Sequence, residues 1–289
     1  MAIYDSILIT GGKGMLAQAL DRSIQARAKK ATLLGRQELD VSDEDSVGSA
    51  FAQYRPTLVL NCAAYTKVDK AEEEKERAYE VNGEAVGILA AKCKEYGARL
   101  VHYSTDFVFD GRKREPYVPA DVTNPQSVYG ASKLEGERQA GDEALVIRTA
   151  WLYGPGGACF PQTMVGAAKQ KKPLTVVNDQ VGSPTFTHDL AEATLRLVDA
   201  EAKGIFHVTN AGSVSWFDFT RAILEEFHEK ADLSPITSAA WKEKRPNSAT
   251  RPSYSVLDVS EYERATGQRM RPWRQALREY RLEVARAGF

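Results

Sequence analysis

Ser6-Ile-Leu-Ile-Thr10-Gly11-Gly-Lys-Gly14-Met-Leu-Ala17 is the stretch from which the rest of the chain is read. It opens with an apolar, β-branched run of strand length, passes through glycines, and continues into the helical spacing of Leu16, Leu20 and Ile24. The spacing Gly-x-x-Gly-x-x-Ala has a physical meaning. Gly11 and Gly14 let the backbone turn sharply and approach a pyrophosphate, and the small Ala17 lets helix and strand pack closely. The helix that follows offers free N–H groups and the positive end of its dipole to phosphates. Gly11, Gly14 and their neighbours Lys13, Met15 and Leu16 therefore begin the expected cofactor set.

The strands that follow extend the pattern. Ala31 to Gly35 is a second strand, and the residue at its end faces the adenosine ribose in such units. Arg36 stands there. An acid would grip the ribose hydroxyls, whereas a guanidinium pairs a 2′-phosphate, so NADPH is the expected cofactor. Asp40 and Val41 are placed at the adenine pocket, and Ser42 with Asp45 three residues on reads as a capped helix start. Thr57 to Asn61 is a third strand, closed by Cys62, Ala63, Ala64 and Tyr65, whose small members permit a ligand close to the strand end.

Asp69 to Val81 reads as a charged helix with a solvated face, Gly87 to Tyr96 as another, and Arg99 to Tyr103 as a strand that delivers Ser104, Thr105 and Asp106. Ala144 to Trp151 is a further strand, and a helix near Pro161 to Lys169 leads to Leu174–Val177 and a turn-rich segment, Asn178 to Thr185. Gly204 to Asn210 reads as a strand returning to the sheet. The rest is expected to be helical, interrupted at Arg245-Pro246, Arg251-Pro252 and Arg271-Pro272. Alternating strands and helices predict an α/β fold, a Rossmann-type doubly wound parallel sheet with its site along the strand C-termini. The expected division is a cofactor domain over residues 1–155, with 182–210 returning to it, and a smaller C-terminal α/β substrate-binding domain from 156–181 and 211–289.

Tyr129-Gly-Ala-Ser-Lys133 follows a polar, proline-marked loop. On a helix, residues four apart share a face, so Lys133 would stand one turn from Tyr129. A tyrosine hydroxyl is a weak acid near neutrality, and a neighbouring cation eases its proton exchange. A hydroxyl from Ser104 or Thr105 could steady the same substrate oxygen. This trio suits protonation of a carbonyl oxygen while a hydride reaches its carbon.

Bulk properties bound the remaining possibilities. The 289 residues carry a formal net charge of -1, which argues against an electrostatically driven nucleic-acid or membrane partner. Cys62, Cys93 and Cys159 form no paired motif, and His102, His188, His207 and His228 lack metal-ligand spacing and read as ordinary packing or surface residues. No apolar run is long enough to span a bilayer, and the N-terminus enters a strand directly. A soluble, cytoplasmic protein acting on a small molecule is expected, as a monomer or homodimer.

Together these segments resemble the extended short-chain dehydrogenase/reductases and, among them, the dTDP-4-dehydrorhamnose reductase family. The likeness runs along nearly the whole chain. It rests on Thr10-Gly-Gly-Lys-Gly14, Asn61-Cys-Ala-Ala-Tyr65 through Val68-Asp69-Lys-Ala-Glu, His102-Tyr-Ser-Thr-Asp106-Phe-Val-Phe, Tyr129-Gly-Ala-Ser-Lys133, Arg148-Thr-Ala-Trp151 and Asn178-Asp-Gln180-Val-Gly-Ser-Pro184-Thr. It implies that Thr105, Tyr129 and Lys133 carry catalysis: Tyr129 as proton donor to the C4 oxygen, Lys133 on the nicotinamide ribose and lowering the tyrosine pKa, Thr105 as hydrogen-bond partner of the reacting oxygen. The implied reaction is reduction of dTDP-4-dehydro-β-L-rhamnose to dTDP-β-L-rhamnose by NADPH, with NADH as a second reductant. It also implies that Val68, Asp106, Phe107 and Trp151 border the sugar and that Asn178, Gln180 and Arg251 serve the nucleotide end.

There are departures: Ala17 replaces a common glycine, Phe107 a tyrosine, and Cys159 an asparagine. Some family members bind Mg²⁺ through an acidic cluster, and no such cluster is matched in this sequence. The competing readings are a reductase of another nucleotide-linked 4-keto deoxysugar and a catalytically silent NADP-binding subunit resembling the methionine adenosyltransferase regulatory subunit. A dehydratase would need a second acid where Phe107 stands.

Overall fold

The computed structural model describes residues 4–286. Its centre is a six-stranded sheet. Five strands are β1 (Ile7–Thr10), β2 (Ala31–Leu34), β3 (Leu58–Asn61), β4 (Arg99–Thr105) and β5 (Leu145–Thr149), and Gly204–His207 adds the sixth. From one edge the order is Gly204–His207, β5, β4, β3, β1, β2, and every pair is parallel. The chain thus reverses direction of travel between β1 and β3, and their C-terminal ends, Thr10 and Asn61, stand in register beside His102 of β4.

Strand side chains alternate between two cores, as the pleat requires. Ile7, Ile9, Leu58, Leu60, Val101, Tyr103, Leu145 and Ile147 pack with α1 (Met15–Ala26) and the helix Thr187–Asp199. Leu8, Val59, Leu100 and Val146 face the other way, onto α2 (Glu44–Tyr54) and α5 (Ala85–Tyr96). Near-continuous apolar strands are what burial on both faces demands. A third cluster, around Tyr153, Phe186, Phe219, Trp273 and Tyr280, joins the helices Phe160–Lys169, Trp216–Glu226 and Trp273–Arg286.

The structure departs from the sequence reading in several places. The cap of α2 is Asp43, whose carboxylate accepts from Asp45 and Ser46 N–H, while Ser42 turns its hydroxyl to Asp40. A carboxylate at a helix start gains from the dipole as well as from the hydrogen bonds. The charged stretch from Asp69 to Val81 is broken into α3 (Val68–Ala71) and α4 (Lys75–Tyr79), followed by a π-helical turn, Glu80–Glu84. Charge patterning cannot register a widened turn, which arises from packing. Leu233–Ile236, within a stretch read as helical, pairs in parallel with Leu174–Val177. Pro235 is tolerated because a two-stranded sheet consists only of edges.

Candidate active site

The turn between β1 and α1 is shaped by crowding. Gly11 has φ of +63°, and a Cβ there would lie 2.8 Å from Ala63 N and 2.9 Å from the Cys62 carbonyl. Gly14 N–H donates to Gly11 O at 2.8 Å, and α1 begins without a side-chain cap. The amides of its first turn are therefore available to an anion. These residues fit a dinucleotide: a cradle that a Cβ would fill, beside uncapped helix amides.

From this turn a cleft of about 550 Å³ runs along the strand ends, lined by Gly14, Met15, Leu16, Cys62, Ala63, Ala64, Val68, Thr105, Asp106, Phe107, Tyr129, Lys133, Trp151 and Arg251 among others. Most of the residues singled out in the sequence thus meet on one surface. The remainder lie elsewhere. Lys13 is exposed and Val41 is buried in the sheet-side core. The Tyr65 hydroxyl donates to Glu74 at 2.6 Å, Asn178 is exposed, and Gln180 is buried with its amide on Ser238 at 2.9 Å. Arg36 is exposed, with Nε 3.6 Å from Asp40. Hydrogen bonding from Ser42, aided by Arg36 and Arg77, holds the Asp40 carboxyl below its usual range. Arg77, not singled out in the sequence, bridges Ser42 and Glu80.

α6 (Val128–Ala140) carries Tyr129 and Lys133. Its cap is Ser127, which accepts from Gly130 N–H at 3.2 Å. Gly130 lets the helix approach the end of β4, since a Cβ there would lie 2.3 Å from the Phe107 carbonyl oxygen. The Phe107 and Tyr129 rings meet edge to face at 5.5 Å. The Thr105 hydroxyl donates to Asp106 at 3.1 Å, and its hydrogen bonding with Tyr129 favours the phenolate. Burial outweighs that bond and pushes the Tyr129 hydroxyl up to about 12, with the Asp106 charge adding to the rise. The Asp106 carboxyl is buried, and burial lifts it to about 6 against hydrogen bonding from Ser255 and Thr105.

Lys133 is 2% exposed, and burial lowers its ammonium to about 8 against the opposing charge of Glu137. Its Nζ lies 3.3 Å from His102 Nε2, while His102 Nδ1 lies 3.1 Å from Asn61 Nδ2. The expected lowering of the tyrosine pKa by Lys133 is not met here. The amine faces the histidine, and desolvation dominates Tyr129. His102, read from the sequence as ordinary packing, is thus beside the lysine.

Beneath Lys133 is a buried ion pair. Arg148 of β5 grips Glu137 with two bonds, Nε to Oε1 at 2.9 Å and Nη2 to Oε2 at 2.7 Å, and Ser104 donates to the same carboxylate. The two side chains are 3% and 4% exposed. Asn82, in the π-helical turn, bonds Tyr65 N–H at 2.9 Å, Tyr65 O at 3.1 Å and Ser132 Oγ at 3.0 Å, tying the β3 loop to α6. π-turns recur at functional sites, which is the signal the sequence lacked.

At the outer wall Trp151 has φ of +48° and stacks on Trp216, centroids 3.6 Å apart. Gly182 makes room, since a Cβ there would meet the indole at 2.6 Å. A non-glycine residue in this region costs on the order of 1–2 kcal/mol, sustained by the packing around the indole. Arg251 is paired with Asp69 at 2.8 Å, and Asp69 also accepts Ala249 N–H. No group of three or more His, Cys, Asp or Glu suited to a metal ion occurs among the described residues, nor any helix there long and apolar enough to cross a membrane.

Arg36→Ala is expected to weaken NADPH about tenfold while leaving NADH within about twofold, the scale of one exposed charge-assisted hydrogen bond. Fluorescence titration with both cofactors checks it. Equal losses would remove Arg36 from 2′-phosphate recognition.

Residues 5–285 match the family described as the RmlD substrate binding domain. The spore coat polysaccharide biosynthesis protein SpsK of Bacillus subtilis (strain 168) is 40% identical over 97% of this chain and 98% of its own length. A dTDP-4-dehydrorhamnose reductase of Streptomyces griseus is 41% identical over 94% of this chain and 91% of its own. Among solved structures, a dTDP-4-dehydrorhamnose reductase of Bacillus anthracis in complex with NADP superposes with a TM-score of 0.92 at 32% identity, covering 97% of this chain and 100% of that one.

Proposed function

The chain belongs to the family of the RmlD substrate binding domain, and from that membership and the cleft we propose that it reduces the C4 keto group of dTDP-4-dehydro-β-L-rhamnose with NADPH, giving dTDP-β-L-rhamnose. The observation that carries the reading is the meeting of Thr105, Tyr129 and Lys133 in the one cleft that begins at the Gly11–Gly14 turn. NADPH, when bound, supplies the hydride.

Each side chain then has a task. The amides of the α1 first turn and Gly11 hold the pyrophosphate, with Arg36 toward the 2′-phosphate. Lys133 holds the nicotinamide ribose. Thr105 hydrogen-bonds the substrate oxygen, and Tyr129 gives its phenolic proton to that oxygen as negative charge develops on it. A tyrosine pushed up to about 12 stays protonated near neutrality, which is the state a proton donor needs. Val68, Asp106, Phe107 and Trp151 border the sugar, and the Trp151 plane suits the apolar face of a deoxysugar. Arg251 serves the diphosphate by exchanging Asp69 for it, and Asn178 and Gln180 belong to the nucleotide end. We assign residues 1–155 and 182–210 to cofactor binding, 156–181 and 211–289 to substrate binding, and the activity to the cytoplasm.

The test is NADPH oxidation with dTDP-4-dehydro-L-rhamnose generated in place. Turnover with this sugar, and none with the sugar omitted, is expected. A folded protein that binds NADPH and leaves it unoxidised would transfer the reading to another 4-keto deoxysugar or to a silent regulatory subunit.

A further inference from the structure

We propose that His102 is a positioning residue that favours the free amine of Lys133 before the cofactor arrives, so that in mildly alkaline solution NADPH binding draws a proton from solvent onto Lys133 Nζ. This rests on the assignment of Lys133 to the nicotinamide ribose made above.

Each hydrogen along a buried chain of side chains has one place to go. The Thr10 hydroxyl accepts Ala63 N–H at 3.1 Å and donates its own hydrogen to Asn61 Oδ1 at 2.6 Å. That bond sets the amide, so Asn61 Nδ2 faces His102 Nδ1. An amide nitrogen has only hydrogens to offer; Nδ1 must be the lone-pair nitrogen, and the neutral ring carries its hydrogen on Nε2. Nε2 faces Lys133 Nζ. An ammonium there would set donor against donor, whereas a free amine accepts the Nε2–H.

The packing leaves the ring no alternative partner. His102 is fully buried, and Gly136 closes over it, a Cβ there lying 3.1 Å from Nε2. The titratable groups around Nζ come from every element packed on it. Tyr129 and Glu137 share its helix, Cys62 stands at the end of β3, and His102 is on β4, followed by Asp106 at the β4 terminus. Glu137 and Cys62 favour the ammonium, but Glu137 is already taken by Arg148 and Ser104. Burial prevails and brings Lys133 to about 8. Burial keeps the His102 ring neutral, well below its usual range. Ribose oxygens and phosphate charge near Nζ reverse the balance, since both favour the ammonium. One N–H bond then forms at Nζ, and the buffer gives up one proton.

The test is calorimetric titration of NADPH into the protein in buffers of differing ionisation enthalpy, between about pH 7 and about pH 9. Proton uptake per site should be small near neutrality, about one half near pH 8, and approach one at the upper end. His102→Leu removes the donor and should move this rise upward by about one pH unit, whereas His102→Gln, which keeps an N–H at that place, should stay near wild type. Asn61→Ala frees the ring to change tautomer and should move the rise upward as well, giving a second variant where His102→Leu does not fold.

No uptake by the wild-type protein across this range overturns the inference. So does a rise unmoved in both His102→Leu and Asn61→Ala. Lys133→Met should abolish the uptake. If Lys133→Met keeps both uptake and NADPH affinity, the failure belongs to the placement of Lys133 at the cofactor and not to His102.

Discussion

Tyr129→Phe should lower turnover about 10³-fold while leaving NADPH affinity within about twofold, because it deletes the hydroxyl proposed as the proton donor and little else. The ring is kept. Its edge contact with Phe107 and its place in the first turn of α6 do not involve the hydroxyl. A general acid contributes about 10²–10⁴-fold, and with Asp106 one step removed through Thr105, the loss should fall within that range. Stopped-flow reduction of the keto sugar together with cofactor titration checks it. Wild-type turnover in Tyr129→Phe would remove the tyrosine as the acid. A collapse of NADPH binding would indicate instead that the ring scaffolds the cofactor site.

The second large effect concerns stability. Glu137→Ala should destabilise the fold by about 3–5 kcal/mol, because it leaves the Arg148 guanidinium as an unpaired buried charge. Among the described residues, Arg148 keeps the Pro119 carbonyl at 3.0 Å, the nearby His207 ring and the face of Phe109. None carries a negative charge, and His207, pushed down to about 3 mainly by burial, stays a neutral ring. The double variant Glu137→Leu with Arg148→Met should recover most of the loss, since replacing both partners removes the desolvation penalty along with the bond. Urea unfolding of the single and double variants forms the cycle. A single-variant cost below about 1 kcal/mol would mean that Arg148 finds water or another partner.

The parts of the site that were legible in the sequence are those whose meaning is local. Gly11 to Ala17 prescribes strand, turn and helix within a dozen residues, and Tyr129 with Lys133 prescribes a shared helical face. The strand ends that line the cleft followed from the alternation of elements. His102 was read as packing because its role depends on Asn61 from a neighbouring strand and Lys133 from a helix above, three segments that only the fold brings together. Trp216 and the Glu137–Arg148 pair were hidden for the same reason. The cap at Asp43 and the break after Ala71 show the other limit: two adjacent residues can both cap, and a widened helical turn keeps the composition of a regular one.

Gly130 has a consequence for how such an enzyme changes over time. The separation between α6 and the end of β4 is set by backbone against backbone, at the Phe107 carbonyl, and the Phe107 side chain takes no part in that contact. Side chains at Val68 and Trp151, proposed to border the sugar, can therefore drift while Tyr129 stays where the main chain puts it, whereas Phe107 packs on the Tyr129 ring itself. Under the proposed roles, chemistry and sugar preference lie on separate parts of the fold, and the preference can be changed one residue at a time.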